Sequence, residues 1–178
     1  MKKLLLLLFS ILISFNSYGK TVCVESSFVQ ERNGLFYLPN QQEPFTGDNL
    51  CEYFNTQYKS KGQIKQGKFD SKWTYWFENG QIKSEANYKD GKLEGKQIEW
   101  HENGQIEEES VYENDKLVSQ TKYEYYENGQ KSSEVNAKDG KKDGKWVEWD
   151  ENGQIFSEAT FKDGECISGD CDHYLWKD

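Results

Sequence analysis

The sequence predicts an all-β fold, an elongated and twisted antiparallel sheet of tandem β-hairpins with a period of about 24 residues. The first observation is a recurring Glu-Asn-Gly-Gln tetrapeptide, whose glycines are spaced by 24, 25 and 24 residues. The second is composition, because the chain is hydrophilic yet contains 15% aromatic residues and two prolines. A disordered chain would be poor in aromatics. A thin sheet with an interior of large flat side chains fits both observations.

Residues 1–19 predict a cleavable signal peptide and therefore an exported protein, periplasmic or secreted after cleavage near Gly19. Lys2 and Lys3 precede a dozen mostly apolar residues, and small residues follow at positions 17 and 19. The alternative is an N-terminal membrane anchor. A spanning helix needs roughly 20 apolar residues, and this run is shorter.

Three regions follow the leader. Residues 20–44 are expected to form an N-terminal strand or cap, since Leu35 to Leu38 is strand-like. Residues 45–169 form the repeat domain, and residues 170–178 form a C-terminal tail.

Each repeat is predicted to be a hairpin, because Asn-Gly tolerates the positive φ angles of a tight type I′ turn. The predicted turn residues are Asn79, Gly80, Asn103, Gly104, Asn128, Gly129, Asn152 and Gly153.

A second turn closes each unit at Lys-Asp-Gly, first at positions 89–91. In the third unit it degrades to Glu113-Asn114-Asp115, which predicts a looser connection. A degenerate earlier copy is placed at residues 61–64, opened by residues 44–47.

Alternation along the strands predicts one apolar and one acidic face. The apolar face is assigned columns headed by Trp76, Thr74, Ile82, Ala86 and Tyr88. The acidic face is assigned the candidate binding residues Glu85, Glu99, Glu109, Glu124, Glu134, Glu148 and Glu158. A solvated surface, a partner contact and a calcium site remain open for these glutamates, in that order of preference.

Trp73 and Trp146 have the parity of the acidic face. They are therefore candidate surface anchors for a partner, because exposed aromatics are favoured at interfaces.

Four cysteines in an exported chain indicate disulfides. We expect Cys23–Cys51 and Cys166–Cys171, one at each end of the array where fraying is easiest. The alternative, a metal site at Cys166, Cys171 and His173, matches no common zinc spacing.

The charge balance bears on partners. Without the leader the chain has 20 basic and 31 acidic side chains. Nucleic acids and anionic membranes attract lysine and arginine, so neither is expected as a partner. A basic protein is a better fit.

Catalytic signals are weak. His101 and His173 are the two histidines, and His101 occupies a variable surface column. Glutamates repeated in every unit do not suit an active site, which needs unlike environments. We expect no enzyme activity, no cofactor and no metal.

The aromatic-x-Glu-Asn-Gly-Gln-(Ile/Lys)…Lys-Asp-Gly-Lys pattern resembles the bacterial MORN-variant repeats (membrane occupation and recognition nexus), over about 70% of the chain. The resemblance implies stacked β-hairpins, and some such chains look like antitoxins. The leading hypothesis is thus an exported protein-binding protein, in its sharper form an immunity or antitoxin-like protein that neutralises a basic toxin. Alternatives are a structural or adhesive envelope protein and a carbohydrate-active protein.

Overall fold

The computed structural model describes residues 20–174, so the predicted signal peptide and the last four residues of the tail lie outside the described residues. Fifteen strands and one short helix are present in this range. They are β1 Thr21–Val22, β2 Gln30–Arg32, β3 Leu35–Tyr37, β4 Gly47–Glu52, β5 Tyr58–Lys65, β6 Lys68–Trp76, β7 Ile82–Lys89, β8 Lys92–Leu93, β9 Gly95–Trp100, β10 Ile106–Glu113, β11 Lys116–Tyr125, β12 Lys131–Lys138, β13 Lys141–Trp149, β14 Ile155–Lys162, β15 Glu165–Gly169 and α1 Cys171–Tyr174.

Consecutive hairpins form one long sheet, which confirms the predicted fold class. From β4 to β15 the strands follow one another in chain order and pair antiparallel, with the short β8 attached to β7. The sheet is mixed at one edge, because β1 pairs parallel with β4. Strands β2 and β3 form a separate two-stranded hairpin.

The four Asn-Gly turns predicted in the clear repeats are not type I′, so that prediction is wrong. In the first clear unit the Phe77 N–H donates to the Gln81 carbonyl at 2.8 Å and the Gly80 N–H donates to the Phe77 carbonyl at 3.0 Å. Gly80 has φ 86°, whereas Asn79 is not among the residues with positive φ. This is a three-residue loop, in which a tight turn is followed by one left-handed residue.

The closing turns have the type I′ conformation instead. Asp90 and Gly91 both have positive φ, at 53° and 86°. The degenerate third copy keeps this geometry, with φ 50° at Asn114 and 67° at Asp115, and β11 begins at the next residue. The looser connection predicted there is therefore wrong, because asparagine and aspartate also enter the left-handed region.

The earliest repeat turns at residues 54–57, and its placement at residues 61–64 is wrong because those residues lie inside β5. The Tyr53 N–H donates to the Gln57 carbonyl at 2.8 Å, and the Thr56 N–H donates to the Tyr53 carbonyl at 3.0 Å. Thr56 has φ 67° and occupies the place that glycine takes in the later turns.

A β-bulge follows each of these turns. Because of the bulges, the two faces of the sheet differ from the predicted ones. Tyr75 pairs with Ser84 and Trp76 pairs with Ile82, so Lys83 has no cross-strand partner. Glu107, Ser132 and Phe156 are the corresponding residues of the later units. A bulge places an extra residue opposite one partner, and strict alternation counted through it assigns the rest of the strand to the wrong face.

The two faces, which we call face 1 and face 2, are therefore both mixed. Face 1 includes the residues paired around Trp73, Ala86 and Trp146 together with the column Glu99, Glu124 and Glu148. Face 2 includes Thr74, Ile98, Tyr123 and Val147, each directly opposite a glutamate of the column Glu85, Glu109, Glu134 and Glu158. The prediction of one apolar and one acidic side is wrong.

Two small cores cover the ends of face 1. At the first end the N-terminal segment packs Leu38 and Phe45 against Ile64 and Trp73. At the other end Tyr174 of α1 packs on Ala159 and Phe161. The structure also confirms the expected cysteine pairing, with Cys23–Cys51 in the first cap and Cys166–Cys171 in the second.

Candidate binding face

The middle of face 1 is left open between the two caps. Cross-strand pairing places Ser84, Glu99, Glu108 and Lys122 in one row across four consecutive strands, and Glu124 pairs with Ser133 beside it. We call this surface the central trough, and its charged and hydroxyl-bearing lining includes Lys83, Ser84, Glu99, Glu102, Glu107, Glu108, Lys122, Glu124, Ser133 and Glu148.

Three adjoining depressions follow the trough beside the Asn-Gly turns. Their volumes are about 530, 510 and 320 Å³. Lys122 and Glu124 line both of the larger ones, whereas His101 and Glu107 line the smallest and one of the larger ones. The depressions are thus neighbouring parts of one open surface that crosses several repeats.

Carboxylates dominate the charge of the trough. Six glutamates line it beside the two lysines Lys83 and Lys122. Lys122 Nζ lies 3.6 Å from a Glu108 carboxylate oxygen. Glu99 accepts a hydrogen bond from the Gln97 amide at 2.6 Å, and Glu124 accepts one from the Ser133 hydroxyl at 3.2 Å. The trough therefore has a net negative charge, which favours cationic groups.

The C-terminal cap adds an aromatic border to the trough. His173 Nε2 of α1 lies 3.0 Å from a Glu148 carboxylate oxygen. The His173 ring also meets the ring of Phe156 at a centroid distance of 5.5 Å. Phe156 occupies a bulge and is 68% exposed, so it offers an apolar contact at the rim.

At the same end Asp150 adds a further negative charge. Its carboxylate accepts the Gln154 N–H at 2.9 Å, and this backbone hydrogen bond holds the pKa of Asp150 below its ordinary value.

The glutamates of face 2 are already paired. Glu85, Glu109 and Glu158 each have a lysine within 3.2 Å, namely Lys72 at 2.7 Å, Lys96 at 2.9 Å and Lys145 at 3.2 Å. Glu134 is similarly paired with Lys131 at 2.8 Å. The predicted candidates are thus divided: Glu99, Glu124 and Glu148 face the trough, whereas the other four lie in neutralised pairs on the opposite face.

Trp73 is not an exposed anchor, so that expectation is wrong for Trp73, whereas Trp146 lines one of the two larger depressions. Trp73 is completely buried, and its indole N–H donates to the Gln63 carbonyl at 3.1 Å. Trp146 is half-buried, and its indole N–H donates to the Asn136 carbonyl at 2.7 Å. The caps pack on the face to which these side chains belong.

Two other apolar side chains are exposed. Phe54 is fully exposed in the first turn, a position that the sequence reasoning missed because this turn was misplaced. Ile155 was assigned to the predicted apolar face in the column headed by Ile82, but it is 59% exposed beside the last bulge.

The asparagines of the turns hold neighbouring repeats together. Asn55 donates to the Glu78 carbonyl, Asn79 to the Glu102 carbonyl and Asn128 to the Glu151 carbonyl, at 2.9–3.1 Å. In the Asn103 turn a different amide does this, because Gln105 donates to the Gly129 carbonyl at 2.8 Å. The predicted turn residues therefore have a structural role in the repeat array.

A metal site, a membrane-spanning helix and a paired histidine would each indicate another functional class. Within residues 20–174 there is no group of three or more His, Cys, Asp or Glu side chains placed to hold a metal ion. The same range contains no helix long and apolar enough to cross a membrane. His101 lies at the rim of the trough, 3.5 Å from a Glu107 carboxylate oxygen.

These features define a tandem β-hairpin repeat protein with capped ends. Residues 69–90, 93–114, 121–139 and 142–163 match the model of a family described as MORN repeat variant. The chain is a MORN-repeat protein, and this is a non-catalytic repeat family. No curated protein matches the chain.

Proposed function

We propose that this is an exported, non-enzymatic protein that binds a basic protein partner through the central trough. The observation that carries the proposal is the open, carboxylate-lined middle of face 1 between two covered ends. Both caps pack on this face, so the surface that they leave free has a defined length and sign of charge.

The size of the trough suits a protein segment. The trough crosses the six strands from β7 to β13 in sheet order, in which β8 has no place of its own. Because neighbouring strands are about 4.8 Å apart, six strands span roughly 24 Å. A segment of that length with several lysines or arginines can meet Glu99, Glu108 and Glu124 together, and such charge complementarity raises the association rate and excludes acidic partners.

Export is supported by the leader-like residues 1–19 and by the two disulfides, which persist in oxidising compartments. N-terminal sequencing of the protein recovered from the periplasm or medium tests this part. A mature chain that begins near Lys20 is expected, and a full-length chain retained in the cytoplasm would contradict export.

Binding is tested by comparing two double variants with the same change in charge. Glu99→Gln with Glu124→Gln neutralises the trough, and Glu109→Gln with Glu134→Gln neutralises two glutamates on face 2. The immobilised mature chain is used to capture proteins, and each captured protein is titrated in purified form at two salt concentrations.

A specific partner is expected to be basic, to lose at least about tenfold in affinity with the trough variant, and to bind less tightly at high salt. The face 2 variant is expected to bind like the wild type. Equal loss with both variants, or no loss with either, would contradict a role for the trough. Binding of the wild-type chain to anionic vesicles in co-sedimentation would also argue against it and favour a membrane surface.

The finer form of the proposal is an immunity or antitoxin-like role, with a basic toxin as the partner. Its support is the acidic trough and the resemblance to antitoxin-like repeat chains. Co-expression tests it: the wild type is expected to restore growth against the captured protein, and the trough variant is not. A captured protein that is harmless to cells would leave protein binding intact and exclude neutralisation.

A further inference from the structure

The chain contains five Asn-Gly dipeptides, at Asn33, Asn79, Asn103, Asn128 and Asn152. In such a dipeptide the backbone nitrogen of glycine can attack the side-chain amide of asparagine. Hydrogen bonds to either group oppose this reaction, because both must be free to approach each other. The structure gives the five sites very different sets of hydrogen bonds.

At three sites both reacting groups, the glycine N–H and the asparagine side-chain amide, are hydrogen-bonded. The Gly80 N–H donates to the Phe77 carbonyl at 3.0 Å. The Asn79 side chain accepts the Gln81 N–H at 2.9 Å and donates to the Glu102 carbonyl at 3.0 Å. Asn128 has the same contacts, whereas Asn103 accepts the Gln105 N–H and donates to the Gln105 side-chain oxygen, and both sites keep the glycine bond.

The last repeat differs because Asp150 takes the place of the asparagine oxygen. The Asp150 carboxylate accepts the Gln154 N–H at 2.9 Å and also the Asn152 N–H at 2.9 Å. The Asn152 side-chain amide donates to the Asp150 carboxylate, the Gln154 N–H goes to Asp150 instead of to Asn152, and the Gly153 N–H still donates to the Asp150 carbonyl. The last site is therefore held by two hydrogen bonds instead of three.

At the Asn33 site both reacting groups lack hydrogen bonds within the described residues. It lies with Gly34 in the two-residue turn between β2 and β3, with φ angles of 52° and 73°. Within the described residues neither the Asn33 side chain nor the Gly34 N–H makes a hydrogen bond, and the space where a Cβ of Gly34 would lie is open to 4 Å. The hairpin lies outside the long sheet, and the turn at its tip is exposed at both Asn33 and Gly34.

We propose that Asn33-Gly34 is a site of spontaneous deamidation, that Asn152-Gly153 is a slower second site, and that the fold protects Asn79, Asn103 and Asn128. The deprotonated nitrogen of Gly34 forms a bond to Cγ of Asn33, and the bond from Cγ to Nδ2 breaks with release of ammonia. Water then opens the resulting succinimide ring at either carbonyl, which leaves aspartate or isoaspartate. One water is consumed, one ammonia leaves, and nothing is oxidised or reduced.

The product changes the N-terminal cap chemically. A new carboxylate appears beside Arg32, whose guanidinium donates to the Gln41 carbonyl at 2.8 Å and lies over the Tyr37 ring at 3.9 Å. The isoaspartate form also adds one methylene to the backbone of a two-residue turn. Both changes fall on the hairpin that carries Phe36 into the first core.

The mature chain with both disulfides intact is incubated at mildly alkaline pH in oxygen-18 water and mapped by mass spectrometry at the five sites. Each hydrogen bond that must open lowers the reactive population by on the order of fivefold. Label is therefore expected at Asn33 first, about 25-fold more slowly at Asn152, and on the order of 100-fold more slowly at the three protected sites. Similar rates at all five sites in the folded chain, or faster reaction at Asn79 than at Asn33, would overturn the proposal.

Two variants and one control separate structure from local sequence. Asp150→Phe exchanges the Asp150 contact of Asn152 for the Gln154 N–H, so the rate at Asn152 should change little. Phe77→Asp should divert the Gln81 N–H from Asn79 and raise the rate at Asn79 about fivefold. In the reduced chain in denaturant the five rates are expected to converge, and persistence of the order there would assign it to sequence neighbours instead of the fold. Should a variant misfold, the comparison of the five wild-type sites remains decisive.

Discussion

Replacement of Thr56 by glycine tests how the first hairpin is closed. Thr56 has φ 67°, in the left-handed region, at the position where the later turns have glycine. A side chain with a Cβ costs about 1–2 kcal/mol in that region. Glycine costs roughly 0.5–1 kcal/mol in additional backbone entropy. The Thr56→Gly protein is therefore expected to gain about 0.5–1 kcal/mol in free energy of unfolding.

For a chain of this length such a gain raises the melting temperature by about 1–4 °C. Thermal and urea unfolding followed by circular dichroism would measure it, with both disulfides kept oxidised. Thr56→Ala is the matched control, since it keeps the Cβ and should stay within about 0.5 kcal/mol of the wild type. The reciprocal change Gly104→Thr introduces the strain where φ is 86° and should cost about 1–2 kcal/mol.

The reasoning would be refuted by a Thr56→Gly protein that is folded but no more stable than the wild type. It would also be refuted if Gly104→Thr cost nothing. Either result would mean that backbone strain at this turn position is absorbed elsewhere in the hairpin.

Three further perturbations examine the core, its titration and the caps. Trp73→Ala should lower the free energy of unfolding, measured in urea, by about 3–5 kcal/mol because Trp73 is fully buried. Trp100→Ala on the more open face 2 should cost clearly less. Equal costs would contradict the core assignment. Burial, with smaller contributions from Tyr88 and Glu25, raises the pKa of Tyr75 to about 12 from 10.0, so its contribution to stability is complete below pH 10 and is lost as pH rises towards 12. Tyrosinate absorbance and unfolding at alkaline pH would show this, Tyr75→Phe should flatten the decline, and an unchanged decline would assign it to other groups. Replacing Cys23 and Cys51 by serine should destabilise by about 3.6 kcal/mol and replacing Cys166 and Cys171 by about 2.1 kcal/mol, from their sequence separations of 28 and 5. The reverse order in denaturant titrations would contradict the loop-entropy argument.

Much of the fold could be predicted from the sequence because the repeat is local. Asn-Gly recurring in phase specifies where the chain reverses, and the even cysteine count placed a disulfide at each end. The first repeat was misplaced because Thr56 stands where the pattern has glycine. The residues around it, Asn55 and Gln57, carried the signal that could have identified the turn.

The two faces could not be predicted, for two physical reasons. The bulged residues Lys83, Glu107, Ser132 and Phe156 share no side-chain chemistry, so the extra residue in each strand leaves no sequence pattern. The caps depend on long-range packing, and nothing near Trp73 in the sequence shows that Leu38 and Phe45 return to cover it. As a result, one column of predicted glutamates faces the trough and the other lies on the opposite side.

The inter-repeat hydrogen bonds from Asn55, Asn79 and Asn128 have a consequence for how such a chain changes in evolution. Each bond connects a unit to the next one in the same manner. A duplicated unit could therefore donate from its own turn asparagine and accept at its own glutamate carbonyl, like its neighbours. Duplication would move the disulfide-bonded termini apart by about 10 Å per added hairpin, since two more strands enter the sheet. The length of the sheet between the two disulfide-bonded ends is therefore set by the number of repeats that the gene encodes.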